Sequence, residues 1–188
     1  MLLTWIFIAH CILQPCLTCR KRQHKFNEDL FFSKEADQKP FRIIGAHRGG
    51  AYERFENTMA AFQNALAQGC NMMETDVLVT KDNVVVCIHD NDIERLTGVD
   101  ANFSDYNFAD LPPYQSSYKY VNQEGSYTQT SDDDGQWLKL EDLLSAMPNT
   151  MLFHIDLKSS DPSHATFVND VVVAAGAEDR VKWGSFKY

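Results

Sequence analysis

Cysteine is too scarce, and too unevenly placed, to staple this chain. Of five cysteines in 188 residues, Cys11, Cys16 and Cys19 fall within the first nineteen positions, leaving Cys70 and Cys87 for everything after. A disulfide framework is excluded, and the Cys16-x-x-Cys19 spacing has no second pair with which to make a zinc site. Cys70 and Cys87 read as small apolar core groups, while the three early cysteines are open to palmitoylation. Acidic residues are absent from residues 1–25, which hold Arg20, Lys21, Arg22 and Lys25. The remainder therefore carries 13 basic against 26 acidic side chains, more lopsided than the overall charge of -9. A body that acidic has no general field for nucleic acid. The N-terminal apolar run, Leu2 to Leu13, reaches membrane-spanning length only if counted on to Thr18. No basic cluster precedes it, which weakens a cleaved signal peptide, and the basic residues come after it. Residues 1–19 are thus expected to be an apolar leader or membrane anchor, with a cleaved signal as the alternative. The positive-inside rule would leave the rest of the chain on the cytoplasmic side. Residues 20–40 read as a basic, then polar, linker, and residues 41–188 as one domain.

What is present in that domain is a set of strand-like runs that end in charge. Successive side chains on a strand point to opposite faces, so Glu74 and Asp76 share one face while Met73, Thr75 and Val77 share the other. Phe153, Ile155 and Leu157 alternate in the same way with His154, Asp156 and Lys158. Val84 to Ile88 is nearly all apolar, as a parallel strand covered on both sides would be, and stops at His89. Arg42 to Ala46 does the same before His47. Two carboxylates one strand repeat apart repel each other unless one is protonated or a cation sits between them, and a divalent metal is the economical answer.

The residues from about Ile43 to Tyr188 also carry a resemblance. The order of His47-Arg48-Gly49-Gly50, Glu56-Asn57-Thr58, Glu74-Thr75-Asp76, Thr80-Lys81-Asp82, His89-Asp90 and Arg95-Leu96-Thr97-Gly98 resembles the first half of a glycerophosphodiester phosphodiesterase domain. The run from Phe55 to Gly69, Leu111 to Tyr114, and His154 to Lys158 are most similar to its membrane-anchored lysophospholipase D branch. The resemblance implies a TIM (β/α)8 barrel of the phosphatidylinositol-phosphodiesterase type, with its site at the C-terminal ends of the strands. It implies Glu74, Asp76 and Asp156 as ligands of one divalent cation, Mg2+ or Ca2+, His47 and His89 as acid and base, and Arg48 and Lys158 as holders of phosphate oxygens. Many members have Glu where this chain has Asp156, a difference of one methylene. The implied activity is metal-dependent hydrolysis of glycerophosphodiesters or lysophospholipids, releasing the headgroup alcohol. The N-terminal segment would place such an enzyme at the membrane where its lipid partitions.

Length sets a second expectation. A full barrel takes about 250 residues. With strands near 42–46, 72–78, 84–88, 150–157 and 181–186, this chain is expected to supply only about the first half to five-eighths of one. A catalytically silent, truncated lipid-associated protein is therefore the alternative reading. Asn57 or Thr58 is expected to cap a helix that stops at Gly69, Leu140 to Met147 is a short helix ended by Pro148, and Ala165 to Ala175 is a crossover helix in spite of its valines. Residues 100–134 read as a long irregular stretch; the resemblance implies an insertion there beside the mouth of the site, with Tyr114, Tyr118 and Tyr120 as candidates for substrate contact, and a plain mobile surface loop is the alternative.

Overall fold

The computed structural model describes residues 43–122, 125–130 and 135–185. The first strand, β1 (Gly45–Ala46), is shorter than the expected 42–46, and residue 42 lies outside the described residues. Helix α1 (Met59–Ala67) begins at Thr58, whose Oγ1 accepts from the Ala61 N–H, and is followed by Gly69 at φ +88°. Strand β2 (Met72–Val79) is the longest in the sheet. Strand β6 (Leu152–Leu157) lies parallel to β2, and β7 (Val181–Gly184) lies parallel to β6. The order β1-β2-β6-β7 is a run of parallel strands joined by helical crossovers, the opening part of an α/β barrel. The crossover from β6 to β7 is helix α4 (Pro162–Ala174), so the chain's connectivity overrules the β propensity of Val171, Val172 and Val173. Asp161 caps that helix by accepting from the Ser163 N–H at 2.8 Å, with Pro162 in the first turn where its missing N–H costs nothing.

Strand β3 (Val85–Cys87) departs from expectation. It is buried, as its composition predicts, but it runs antiparallel to β2, pairing Val77 with Cys87 and Val79 with Val85. The turn at Thr80 to Val84 explains this, since a parallel return needs a crossover of a dozen or more residues. Thr80 Oγ1 closes the turn, accepting from the Val84 N–H at 2.9 Å and donating to Asp82 Oδ1 at 2.6 Å.

The insertion is also more ordered than expected. Between a short helix α2 (Glu94–Thr97) and helix α3 (Leu140–Ala146) lies a hairpin, β4 (Ser117–Asn122) with β5 (Gly125–Thr130). The alternation of Tyr118 and Tyr120 with polar residues was its signal. Residues 123–124 and 131–134, also in that insertion, lie outside the described residues.

Alternation along the strands divides the sheet. The face toward the helices carries Met73, Val77, Phe153 and Ile155, all fully buried against Phe62, Leu143 and Val168. Each such side chain contributes about 1.5–3 kcal/mol by leaving water. Cys87 belongs to this core, its thiol pushed up to about 12 by burial, and Cys70 packs at its border. The opposite face carries the charges. Beside it, Phe55, Ile88, Leu96, Phe103 and Tyr118 form a second apolar cluster that seats the insertion against the strand ends.

Candidate active site

The sequence after β1 turns sharply. His47–Gly49 forms a 3-10 turn in which Arg48 (φ +52°), Gly49 (φ +77°) and the following Gly50 (φ +94°) are all left-handed. Gly49 is required twice over, because a β-carbon there would also lie 2.9 Å from Ala61 Cβ and 3.1 Å from the Phe62 backbone nitrogen. Arg48 bears the strain of a non-glycine residue in that region. In return its N–H donates to Glu74 Oε2 at 2.8 Å and its guanidinium lies against Asp76, Nε to Oδ2 3.2 Å.

The register of β2 with β6 sets Glu74 beside His154 and Asp76 beside Asp156. Asp76 and Asp156 are 1% and 5% exposed. Lys158, just past β6, spans them, with Nζ 2.9 Å from Asp76 Oδ1 and 2.6 Å from Asp156 Oδ2. Repulsion alone therefore does not demand a metal here: Lys158 and Arg48 are cations already in contact with Asp76. Among the described residues no three His, Cys, Asp or Glu side chains converge as a metal set. Two observations nevertheless suit a cation. Asp156 Oδ1 is buried with no hydrogen-bond partner, and burial, then the neighbouring Asp76 charge, raise Glu74 to about 7.

The two histidines differ. His47 has a side chain 60% exposed, with Nε2 3.9 Å from Glu74 Oε2. Partial burial and then the Arg48 charge hold it below its ordinary value, so it is neutral at neutral pH. His89 follows β3, and its Nδ1 lies 2.6 Å from Asp90 Oδ1. The same loop is tied to β2 by the Ile88 N–H, which donates to the Asp76 carbonyl at 2.9 Å. His89, Asp90, Asn91, Asp92, Arg95, Leu157 and Lys158 line a cavity of about 510 Å³, within the usual range for small-ligand sites.

Of the seven side chains expected at the site, Arg48, Glu74, Asp76, Asp156 and Lys158 are linked by direct contacts. His47 lies beside Glu74, and His89 shares the cavity wall with Lys158. Sequence reasoning gave no role to four further residues. His154 faces the same side as Asp156 and stands in register with Glu74; the alternation that grouped it with Asp156 was the available signal. Buried Glu56 and half-buried Asp90 and Arg95 form an ion-pair cluster next to Arg48. Asn57, the middle residue of its motif, accepts from Thr75 Oγ1 at 2.9 Å and donates to Asp76 Oδ2 at 3.4 Å, so it orients the acid rather than capping α1.

Two of the three tyrosines are corrected. Tyr118 is 3% exposed, and its hydroxyl accepts from the Glu56 N–H at 2.9 Å. Tyr114 stacks edge-on with Trp137 at 4.5 Å and near Phe55 at 6.1 Å. Both pack the insertion onto the domain, and the side chain of Tyr120 lies outside the described residues.

Asp90 supplies a test by pH. Burial would raise its carboxyl, but the His89 bond and the Arg95 charge outweigh that and hold it well below its ordinary 3.8. A depressed carboxylate stabilises the fold fully above 3.8 and loses that contribution as pH falls through the folded value. Asp90→Asn is expected to cost about 1 kcal/mol near neutrality, and urea unfolding below 3.8 should show the gap closing. A gap independent of pH would contradict the ion-paired state.

Residues 47–183 match the model of the glycerophosphoryl diester phosphodiesterase family. The chain is 38% identical over 143 residues to human lysophospholipase D GDPD1, covering 76% of this chain and 45% of that protein. It is 31% identical over 150 residues to a glycerophosphodiester phosphodiesterase of Bacillus altitudinis, covering 77% and 58%. Among solved structures, the Thermotoga maritima glycerophosphodiester phosphodiesterase superposes with a TM-score of 0.60 at 26% identity, over 79% of this chain and 56% of that one. The chain spans about half the length of the curated relatives it matches.

Proposed function

Since the chain belongs to the glycerophosphoryl diester phosphodiesterase family, we propose that it is a phosphoric diester hydrolase acting on lysophospholipids or glycerophosphodiesters. The observation that carries this reading is the contact network that joins His47, Arg48, Glu74, Asp76, Asp156 and Lys158 across β1, β2 and β6, with Lys158 and His89 on the wall of one cavity. A phosphodiester gains negative charge on its non-bridging oxygens as it reacts, and fixed cations in a water-poor site stabilise it there. Arg48 and Lys158 would hold those oxygens. His47, held neutral, is suited to take the proton from the attacking hydroxyl, and His89, with Nδ1–H on Asp90, to give one from Nε2 to the leaving alcohol when its ring carries both protons.

Glu74, Asp76 and Asp156 would hold a divalent cation; an all-oxygen donor set suits Mg2+ or Ca2+, and the unpartnered Asp156 Oδ1 and the raised Glu74 fit that role. Such an ion would supply positive charge at the phosphate. The apolar residues 1–19 lie outside the described residues, and among those described no helix is long and apolar enough to cross a membrane. We assign residues 1–19 to membrane association, which suits a lysolipid substrate.

The test is release of choline from lysophosphatidylcholine and from glycerophosphocholine, with Mg2+, Ca2+ or EDTA. It uses the 188-residue chain and a chimera continuing it into the C-terminal half of a relative's barrel. Metal-dependent release by either protein supports the reading. Absence of release by a folded chimera overturns it.

A further inference from the structure

Glu56 is 1% exposed, yet it faces two arginines rather than the cavity. Arg48 Nη1 donates to its Oε1 at 3.1 Å. Arg95 grips it with both terminal nitrogens, Nη1 to Oε2 at 2.9 Å and Nη2 to Oε1 at 2.8 Å. The same Arg95 donates from Nε and Nη2 to Asp90 Oδ2, at 2.8 and 2.6 Å. Arg95 thus takes up one oxygen of Asp90, and the other, Oδ1, meets His89 Nδ1 at 2.6 Å. A planar guanidinium bound along two edges has little freedom, so the plane of Asp90 is set by where Glu56 holds Arg95. The hydroxyl of Tyr118, 3.3 Å from Glu56 Oε2, and its bond from the Glu56 N–H fix the carboxylate from the insertion side.

A buried ion pair is weak evidence for stability, since desolvation consumes most of its attraction. What this cluster supplies is orientation. Asp90 accepting at Nδ1 selects the tautomer that carries its proton there, leaving Nε2 of His89 as the nitrogen free to exchange a proton in the cavity.

We propose that Glu56 is a positioning residue: through Arg95 and Asp90 it fixes the tautomer and ring plane of His89, and through Arg48 it braces the turn that carries His47. The consequence for turnover rests on the hydrolase reading above; the consequence for the imidazole does not.

The experiment is 15N NMR of histidine-labelled protein at a pH where imidazoles are neutral, with the His89 signals assigned from His89→Gln. The wild type is expected to show His89 as a single Nδ1-protonated tautomer. Glu56→Gln and Arg95→Lys should each shift it toward the mixed tautomers of a free imidazole, as Asp90→Asn should. Arg95 is the more exposed partner, with a side chain 26% exposed, so its variant serves if Glu56→Gln fails to fold. An unchanged His89 tautomer in a folded Arg95→Lys protein overturns the proposal. In the active chimera, kcat is expected to fall about a hundredfold with little change in KM, as misplacement of a reacting group does. A tautomer shift together with an inactive wild-type chimera would sink the hydrolase reading and leave the positioning role of Glu56 standing. A loss of kcat with the tautomer unmoved would do the reverse.

Discussion

Turnover by His89→Ala, and separately by His47→Ala, is expected to fall about 10²–10⁴-fold, the usual yield of a general acid or base, while unfolding in urea shifts by less than about 0.5 kcal/mol for His47→Ala and by about 1 kcal/mol for His89→Ala, which loses its bond to Asp90. The dissociation between the two readouts comes from position. The His47 side chain is 60% exposed and the His89 side chain 30%, and neither belongs to the apolar clusters. Each is presented by a loop whose geometry is fixed through other atoms: the Arg48 N–H on Glu74 in the first case, the Ile88 N–H on the Asp76 carbonyl in the second. Truncating His47 removes little but the ring, while truncating His89 also ends its bond to Asp90, whose other oxygen stays with Arg95. Assay of the chimera with lysophosphatidylcholine alongside urea melts checks this, and retained turnover in either variant would remove that histidine from the chemistry.

Lys158→Met has the largest expected effect on stability, about 3 kcal/mol, the scale of breaking a buried ion pair by deleting one partner. In thermal unfolding that is a drop of roughly 6–12 °C. Burial works to lower the Lys158 ammonium, but the Asp156 bond and the Asp76 charge prevail, so its value lies above the ordinary 10.5. Methionine keeps much of the stem and discards the charge. Asp156 then loses the hydrogen bond to its Oδ2 while its Oδ1 is already without a partner, and Asp76 is left with Arg48 and Asn57. Added Mg2+ or Ca2+ should recover part of the loss, and should raise the variant's midpoint more than the wild type's, because it enters where the ammonium has been removed. A loss that no divalent ion reduces would argue against the three-carboxylate metal assignment. No loss at all would show that Lys158 is not the counter-charge the geometry makes it.

How far the sequence foretold this arrangement depends on the range of the interaction. Facing and spacing are local, so the alternation in Met72 to Val79 and Leu152 to Leu157 put Glu74, Asp76, His154 and Asp156 on one side, as the register of the two strands has them. The orientation of β3 was also within reach, since the turn before it is too short for a parallel return. An all-apolar strand, however, looks alike in either direction, and its composition points the wrong way. Hairpin β4–β5 hid behind a polar composition that resembles loop. The Glu56 cluster was out of reach in a stronger sense. Arg95 lies 39 residues from Glu56 and Tyr118 lies 62, and nothing local to Glu56 distinguishes a clamp for two guanidiniums from a surface acid before a helix. Only the folded packing of the insertion against the strand ends brings them together. Tyr114 and Tyr118 mislead for the same reason, as aromatic residues in a polar stretch are equally suited to greeting a ligand and to holding the stretch down.

The three loops that carry His47, His89 and Lys158 all hang from β2. Arg48 bonds to the side chain of Glu74, Ile88 to the backbone of Asp76, and Lys158 donates its N–H to the Val77 carbonyl at 3.1 Å. One strand is therefore the common ruler for parts of the site drawn from four stretches of chain. Its alternation has a period of two, so a slip by a single residue would turn both acids toward the helices and carry Met73 into the cavity, detaching all three loops together. A site measured from one ruler cannot be half assembled. Drift in the surrounding loops is absorbed, but the spacing from Met72 to Val79 admits no insertion, and sequence change compatible with the chemistry must accumulate elsewhere.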